Sequence, residues 1–105
     1  MVTDLDIRRL AERIAAAFHP EKIVLFGSRA SKTHREDSDV DLLIVLRYSG
    51  RPLKKAVEIL DAADPRFAVD LILRTPEEVE WRYEQFDPVI REALDHGVVL
   101  YEAAA

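Results

Sequence analysis

Residues 23–46, IVLFGSRASKTHREDSDVDLLIVL, constrain the fold more than any other stretch of this chain. Two apolar runs are separated by a Gly-Ser turn and a polar segment, so the pattern predicts strand, tight turn, short polar helix or loop, then a second strand. The first run, over residues 22–26, stops at Gly27-Ser28, and the second opens with Asp39 and Asp41, one residue apart. On a strand, side chains two residues apart leave from the same face, separated by about 6.6 Å along the backbone. Asp39 and Asp41 therefore share a face, and Val40 points the other way. Two like charges on one face raise each other's pKa unless a cation lies between them. A divalent metal is the simplest such cation. The run Leu42, Leu43, Ile44, Val45, Leu46 does not alternate with polar residues, as expected of a strand covered on both faces near the middle of a sheet. Carboxylates at the end of a buried strand are costly to desolvate, which points to a function for them. Asp-x-Asp by itself is more often structural than catalytic. The turn upstream changes that balance: Gly27 permits a tight or left-handed backbone, and Ser28, as a helix N-cap, with the amides after it can receive phosphate oxygens.

Gly27-Ser28, ten intervening residues, then Asp39-Val40-Asp41 resembles the signature of the DNA polymerase β-type nucleotidyltransferase superfamily. The string LFGSRAS…SDVDLLIV is similar to its small prokaryotic branch, the minimal nucleotidyltransferases. The resemblance implies that Asp39 and Asp41 bind Mg²⁺, with Mn²⁺ as an alternative, that a third carboxylate on a later strand completes the site, and that the Gly-Ser turn holds a nucleoside triphosphate, ATP being the expected one. Asp70, the one charged residue in the run FAVDLIL over residues 67–73, is the candidate for the third acid. The resemblance also makes Arg29 a contact of the triphosphate or of departing pyrophosphate. Lys32, His34 and Arg35 are explained as well by a solvated loop. No role falls to His34, because phosphoryl-transfer chemistry of this kind works through metal positioning and electrostatics.

A chain of 105 residues, nearly half hydrophobic, fits one domain spanning residues 1–105. With no cysteine, disulfides and thiolate zinc sites are excluded. No apolar run reaches bilayer-spanning length, and no signal peptide is evident, so a cytoplasmic protein is expected. The net charge of −5 disfavours a long polynucleotide partner, whose phosphates require Lys and Arg.

Around the motif, residues 3–18 carry Leu5, Ile7, Leu10, Ile14 and Phe18 at helical spacing with Thr3 or Asp4 as cap, and Pro20 follows. Residues 52–60 read as a helix with Leu53, Ala56, Val57 and Leu60 on one face. Thr75-Pro76-Glu77-Glu78 is a helix start, and its helix places Val79, Tyr83 and Phe86 on one stripe with Trp81 well off it. Asp87-Pro88 restarts helical spacing through Ile90, Ala93 and Leu94, Gly97 closes it as a C-terminal cap, and residues 98–101 form a short strand. The expected fold class is α/β, a small mixed sheet with helices packed against it.

The expected function is Mg²⁺-dependent nucleotidyl transfer, of AMP from ATP to a hydroxyl acceptor. The resemblance implies a helical HEPN-type protein partner, with a tyrosine of that toxin as an acceptor and an antitoxin role for this chain. The alternative is a weakly catalytic module that neutralises the same partner by binding. Trp81, with nearby Tyr83, is the expected contact surface for that partner or for a second copy of this chain, since large aromatics are enriched in interface cores.

Overall fold

The computed structural model describes residues 1–104. Helix α1 (Asp4–Phe18) starts on Thr3, whose hydroxyl accepts from the Asp6 amide while the Asp6 carboxylate accepts from the Thr3 amide. This reciprocal pair satisfies two amides that a helix start otherwise leaves open. The helix ends at His19 in the left-handed region, just before Pro20. Strand β1 (Lys22–Phe26) leads through Gly27 into the single turn of α2 (Ser28–Ser31), and strand β2 (Val40–Val45) follows the polar loop. Helix α3 (Pro52–Ala63), strand β3 (Val69–Arg74), helices α4 (Pro76–Glu84) and α5 (Pro88–His96), and strand β4 (Val98–Glu102) complete the described chain.

The four strands form one mixed sheet in the order β3-β2-β1-β4. β1 runs antiparallel to both β2 and β4, and β3 runs parallel to β2. The α/β expectation and the central place of the Leu42-to-Val45 run are therefore met. The alternation of β2 divides the core. Val40, Leu42 and Ile44 pack with Ile7, Leu10 and Ile14 of α1 and Ile59 of α3, while Leu43 and Val45 pack with Val79 of α4 and Ile90 and Ala93 of α5. Helices thus cover both faces, which is why β2 can be apolar at successive positions.

Several amphipathic stripes sit differently from their expected place. On α3 the buried positions are Ile59 and Ala63, whereas Leu53 and Val57 stand in solvent. The helix runs three residues past Leu60, and the face that meets α1 and β3 carries Ile59 and Ala63. Leu5 is likewise exposed, the contact face of α1 being Ile7, Leu10, Ala11 and Ile14. Phe86 lies beyond the end of α4 in a left-handed conformation and is exposed. Its ring stacks on the Arg91 guanidinium, 4.2 Å from the ring centre, with Tyr83 at the same distance. Gly97 ends α5 at φ −78°, not in the left-handed region. Glycine is needed there for space: a Cβ would overlap Ala93 O and stand 2.6 Å from Val24 Cγ1 and 2.8 Å from Leu25 O.

Candidate active site

At one end of the sheet, parallel pairing places Asp41 of β2 beside Asp70 of β3 as register partners. On the other side Asp41 pairs with Phe26, the last residue of β1 before the Gly27 turn. Neighbouring strands lie about 4.8 Å apart, so three chain segments distant in sequence present their candidate site residues within one small area. Both aspartates lie on the α4/α5 face, since Asp41 alternates with Leu43 and Val45, and Asp70 with Ile72, which packs on the same cluster. Asp39 sits one residue before β2 and is exposed.

The electrostatics follow from this convergence. The Asp41 carboxyl is pushed above its ordinary 3.8, first by burial and then by the charges of Asp70, Asp39 and Glu92. Glu92 is a fourth acid that the sequence pattern did not bring out. It stands on α5 between the buried Ile90 and Ala93 and comes near Asp41 only because α5 packs on β1. Among the described residues no three acidic or imidazole side chains close tightly enough to cage one ion.

Gly27 and Asp41 are in direct contact. Gly27 has φ +75° and ψ −157°, a region essentially reserved for glycine. A Cβ built there would overlap Asp41 Oδ2 and lie 3.1 Å from its Cγ. The bare turn is thus the wall against which the Asp41 carboxylate rests. Gly27 is also the N-cap of α2, so Ser28 is its first residue and not the cap; the Gly27 carbonyl accepts from the Ala30 and Ser31 amides at 3.2 Å.

Arg29, expected beside a triphosphate, is 5% exposed, a buried charge. Its guanidinium turns toward the loop after α2. Nε and Nη2 donate to the Ser38 carbonyl at 3.1 and 2.9 Å, and Nη2 reaches the Glu36 carbonyl at 3.3 Å. Lys32 pairs with Asp4 at 3.3 Å, and His34 and Arg35 are exposed, as a solvated loop requires. Trp81 is 59% exposed. Tyr83 is half-buried and donates from its hydroxyl to Asp95 Oδ1 at 2.8 Å, so it belongs to the packing between α4 and α5 more than to an open surface.

Comparison with known proteins accords with this geometry. A nucleotidyltransferase candidate from Sulfolobus solfataricus superposes with a TM-score of 0.64 at 20% identity, over 93% of this chain and 78% of that one. A toxin–antitoxin structure with AMP-PNP gives a TM-score of 0.59 at 18% identity, over 91% and 73% of the two chains. A mutant of the toxin–antitoxin MntA-HpeT gives 0.53 at 18% identity, over 98% and 75%. At these identities the likeness is one of fold. No curated protein sequence matches the chain. The profile of the nucleotidyltransferase domain family, NTP_transf_2, matches residues 7–100, a span that takes in the Gly-Ser turn, all three aspartates and all four strands as far as the middle of β4. This chain belongs to the nucleotidyltransferase domain family.

Proposed function

We propose that residues 1–105 act as one cytoplasmic domain that transfers AMP from ATP to a hydroxyl acceptor. The observation that carries this reading is the register of Asp41 against Asp70 beside the Gly27 turn. Carboxylate oxygens are the hard donors that Mg²⁺ and Mn²⁺ take, and the Asp41 carboxyl is held above its ordinary value first by burial and then by the charges of Asp70, Asp39 and Glu92. Asp39, Asp41 and Asp70 would hold the metal after side-chain rotation. When bound, Mg²⁺ supplies charge neutralisation and orientation for phosphate oxygens. Gly27 and Ser28 flank the nucleotide, and Arg29 belongs to the site through the loop it grips. Asp70 accepts the acceptor's hydroxyl proton as that oxygen bonds to the α-phosphorus; the bond from phosphorus to the bridging oxygen breaks, and pyrophosphate leaves. The acceptor is a tyrosine of a helical HEPN-type toxin, which makes this chain an antitoxin. Two fold neighbours from toxin–antitoxin structures, one with AMP-PNP, support the antitoxin role.

The test is transfer of label from α-labelled ATP to the partner with Mg²⁺ present, followed alongside pyrophosphate release. Asp41→Asn and Asp70→Asn should each lower the rate at least 100-fold; undiminished transfer by Asp41→Asn refutes the assignment. A second reading, neutralisation by binding alone, is favoured by the exposed Trp81. Under it, Asp41→Asn would still neutralise the toxin in full.

A further inference from the structure

We infer that Arg29 is a positioning residue for Asp39: it locks one of the two peptide planes that set the direction of that carboxylate. The inference rests on the reading of Asp39 as a metal ligand. Asp39 lies outside β2, so no strand pairing of its own holds it. Its orientation depends on the peptide before it and the peptide after it. The preceding plane carries the Ser38 carbonyl, which accepts from Arg29 Nε and Nη2 at 3.1 and 2.9 Å. The following plane carries the Val40 amide, which donates to the Ala68 carbonyl at 3.0 Å. With both planes held, φ and ψ of Asp39 are determined, although the residues before it, from Ser31 to Asp37, are all exposed. Nη2 also reaches the Glu36 carbonyl at 3.3 Å, so a single guanidinium gathers the last turn of the loop.

Arg29 suits this task for reasons of chemistry. Its planar fork offers parallel donors to one oxygen and a further donor to another, which an ammonium on a flexible stem does not reproduce. It is the only charged residue among the described residues that is buried, and its hydrogen bonds go to loop carbonyls, not to a carboxylate. A buried charge with neutral partners is an expensive way to hold a surface loop. The cost is understandable if the loop ends in a ligand whose direction matters. Because Arg29 follows Gly27 by two residues, the turn that walls Asp41 and the clamp that aims Asp39 come from the same short segment.

The experiment is a double-mutant cycle on Mn²⁺ affinity, read by calorimetry on the full chain, using wild type, Arg29→Lys, Asp39→Asn and the double variant. Arg29→Lys should weaken Mn²⁺ binding about tenfold in the wild-type background and less than twofold in the Asp39→Asn background. An equal loss in both backgrounds overturns the inference, because Arg29 would then act on the metal or the whole fold without passing through Asp39. Unchanged affinity in Arg29→Lys also overturns it. Failure of the underlying ligand reading has a different signature: Asp39→Asn alone would leave the affinity intact. Should Arg29→Lys not fold, the wild-type protein provides the second measurement. Coupling is reciprocal, so saturating Mg²⁺ should slow hydrogen exchange at the Arg29 Nε–H severalfold, and an exchange rate indifferent to Mg²⁺ refutes the clamp.

Discussion

Replacing Gly27 by alanine tests how the turn and the carboxylate depend on each other. Two costs are expected. The first is backbone strain, since φ +75° with ψ −157° is all but closed to a residue with a Cβ, at about 1–3 kcal/mol. The second is steric: the new methyl overlaps Asp41 Oδ2 and approaches Cγ to 3.1 Å, whereas its 3.4 Å distance to Asp41 Cβ is an ordinary contact. Asp41→Ala removes the carboxyl group and keeps only that tolerated Cβ. Gly27→Ala should therefore cost more in the wild-type background than in Asp41→Ala, with a coupling of roughly 0.5–3 kcal/mol. The four proteins would be compared by urea unfolding without metal. In a domain of this size each kcal/mol lowers the melting temperature by roughly 4–8 °C, so a thermal scan gives an independent reading. Equal costs in the two backgrounds would show that the backbone alone demands glycine, and that the turn does not seat the carboxylate. The same displacement should weaken Mg²⁺ binding in Gly27→Ala, although a phosphate would meet the added methyl only after Asp41 had moved.

Asp41 should also leave a mark on pH dependence. Its carboxyl is held above 3.8 in the native state, so the folded chain binds that proton more tightly than the unfolded one. This single group's contribution to metal-free stability rises as pH falls through the raised pKa and levels off below the unfolded value; urea midpoints of wild type and Asp41→Asn between neutrality and about pH 3.5 should show the difference, and parallel profiles would refute it. Asp87 has the opposite sign. Its carboxylate caps α5 by accepting from the Val89 and Ile90 amides, and those bonds with the neighbouring Arg82 lower its pKa. Asp87→Ala should cost about 1 kcal/mol at neutral pH, a difference that disappears as pH drops through the lowered pKa and is absent at all pH values if the cap contributes nothing. Trp81→Ala, at a position 59% exposed, should change stability by less than about 0.5 kcal/mol while weakening association with the toxin partner in a pull-down or by calorimetry. Loss of the fold in Trp81→Ala would assign it to packing instead.

Elements whose signals are local were legible in the chain itself. Thr75 as the cap before Pro76, Asp87-Pro88 at the restart of helical spacing, and the end of the first helix at Pro20 act through neighbours within one turn, so sequence order is enough to place them. The unbroken run after Asp41 similarly required a central strand. What a chain cannot state locally is which face of a helix meets the sheet. Leu53 and Val57 fit a helical stripe as well as Ile59 and Ala63 do, and only the packing of α3 on α1 and β3 selects the second pair. The site divides in the same way. Asp39 and Asp41 announce themselves by spacing, and Asp70 by isolation in an apolar run, but their meeting depends on parallel β2–β3 register after a helical crossover. Glu92 arrives by the packing of α5 on β1, and nothing in its neighbours sets it apart from a solvated acid. Arg29 shows the limit most clearly: the family resemblance implied a phosphate contact, and nothing in the sequence indicated that its guanidinium would donate to the Ser38 and Glu36 carbonyls. Direction of a long side chain is decided by what is desolvated around it, and desolvation exists only once the tertiary structure has formed.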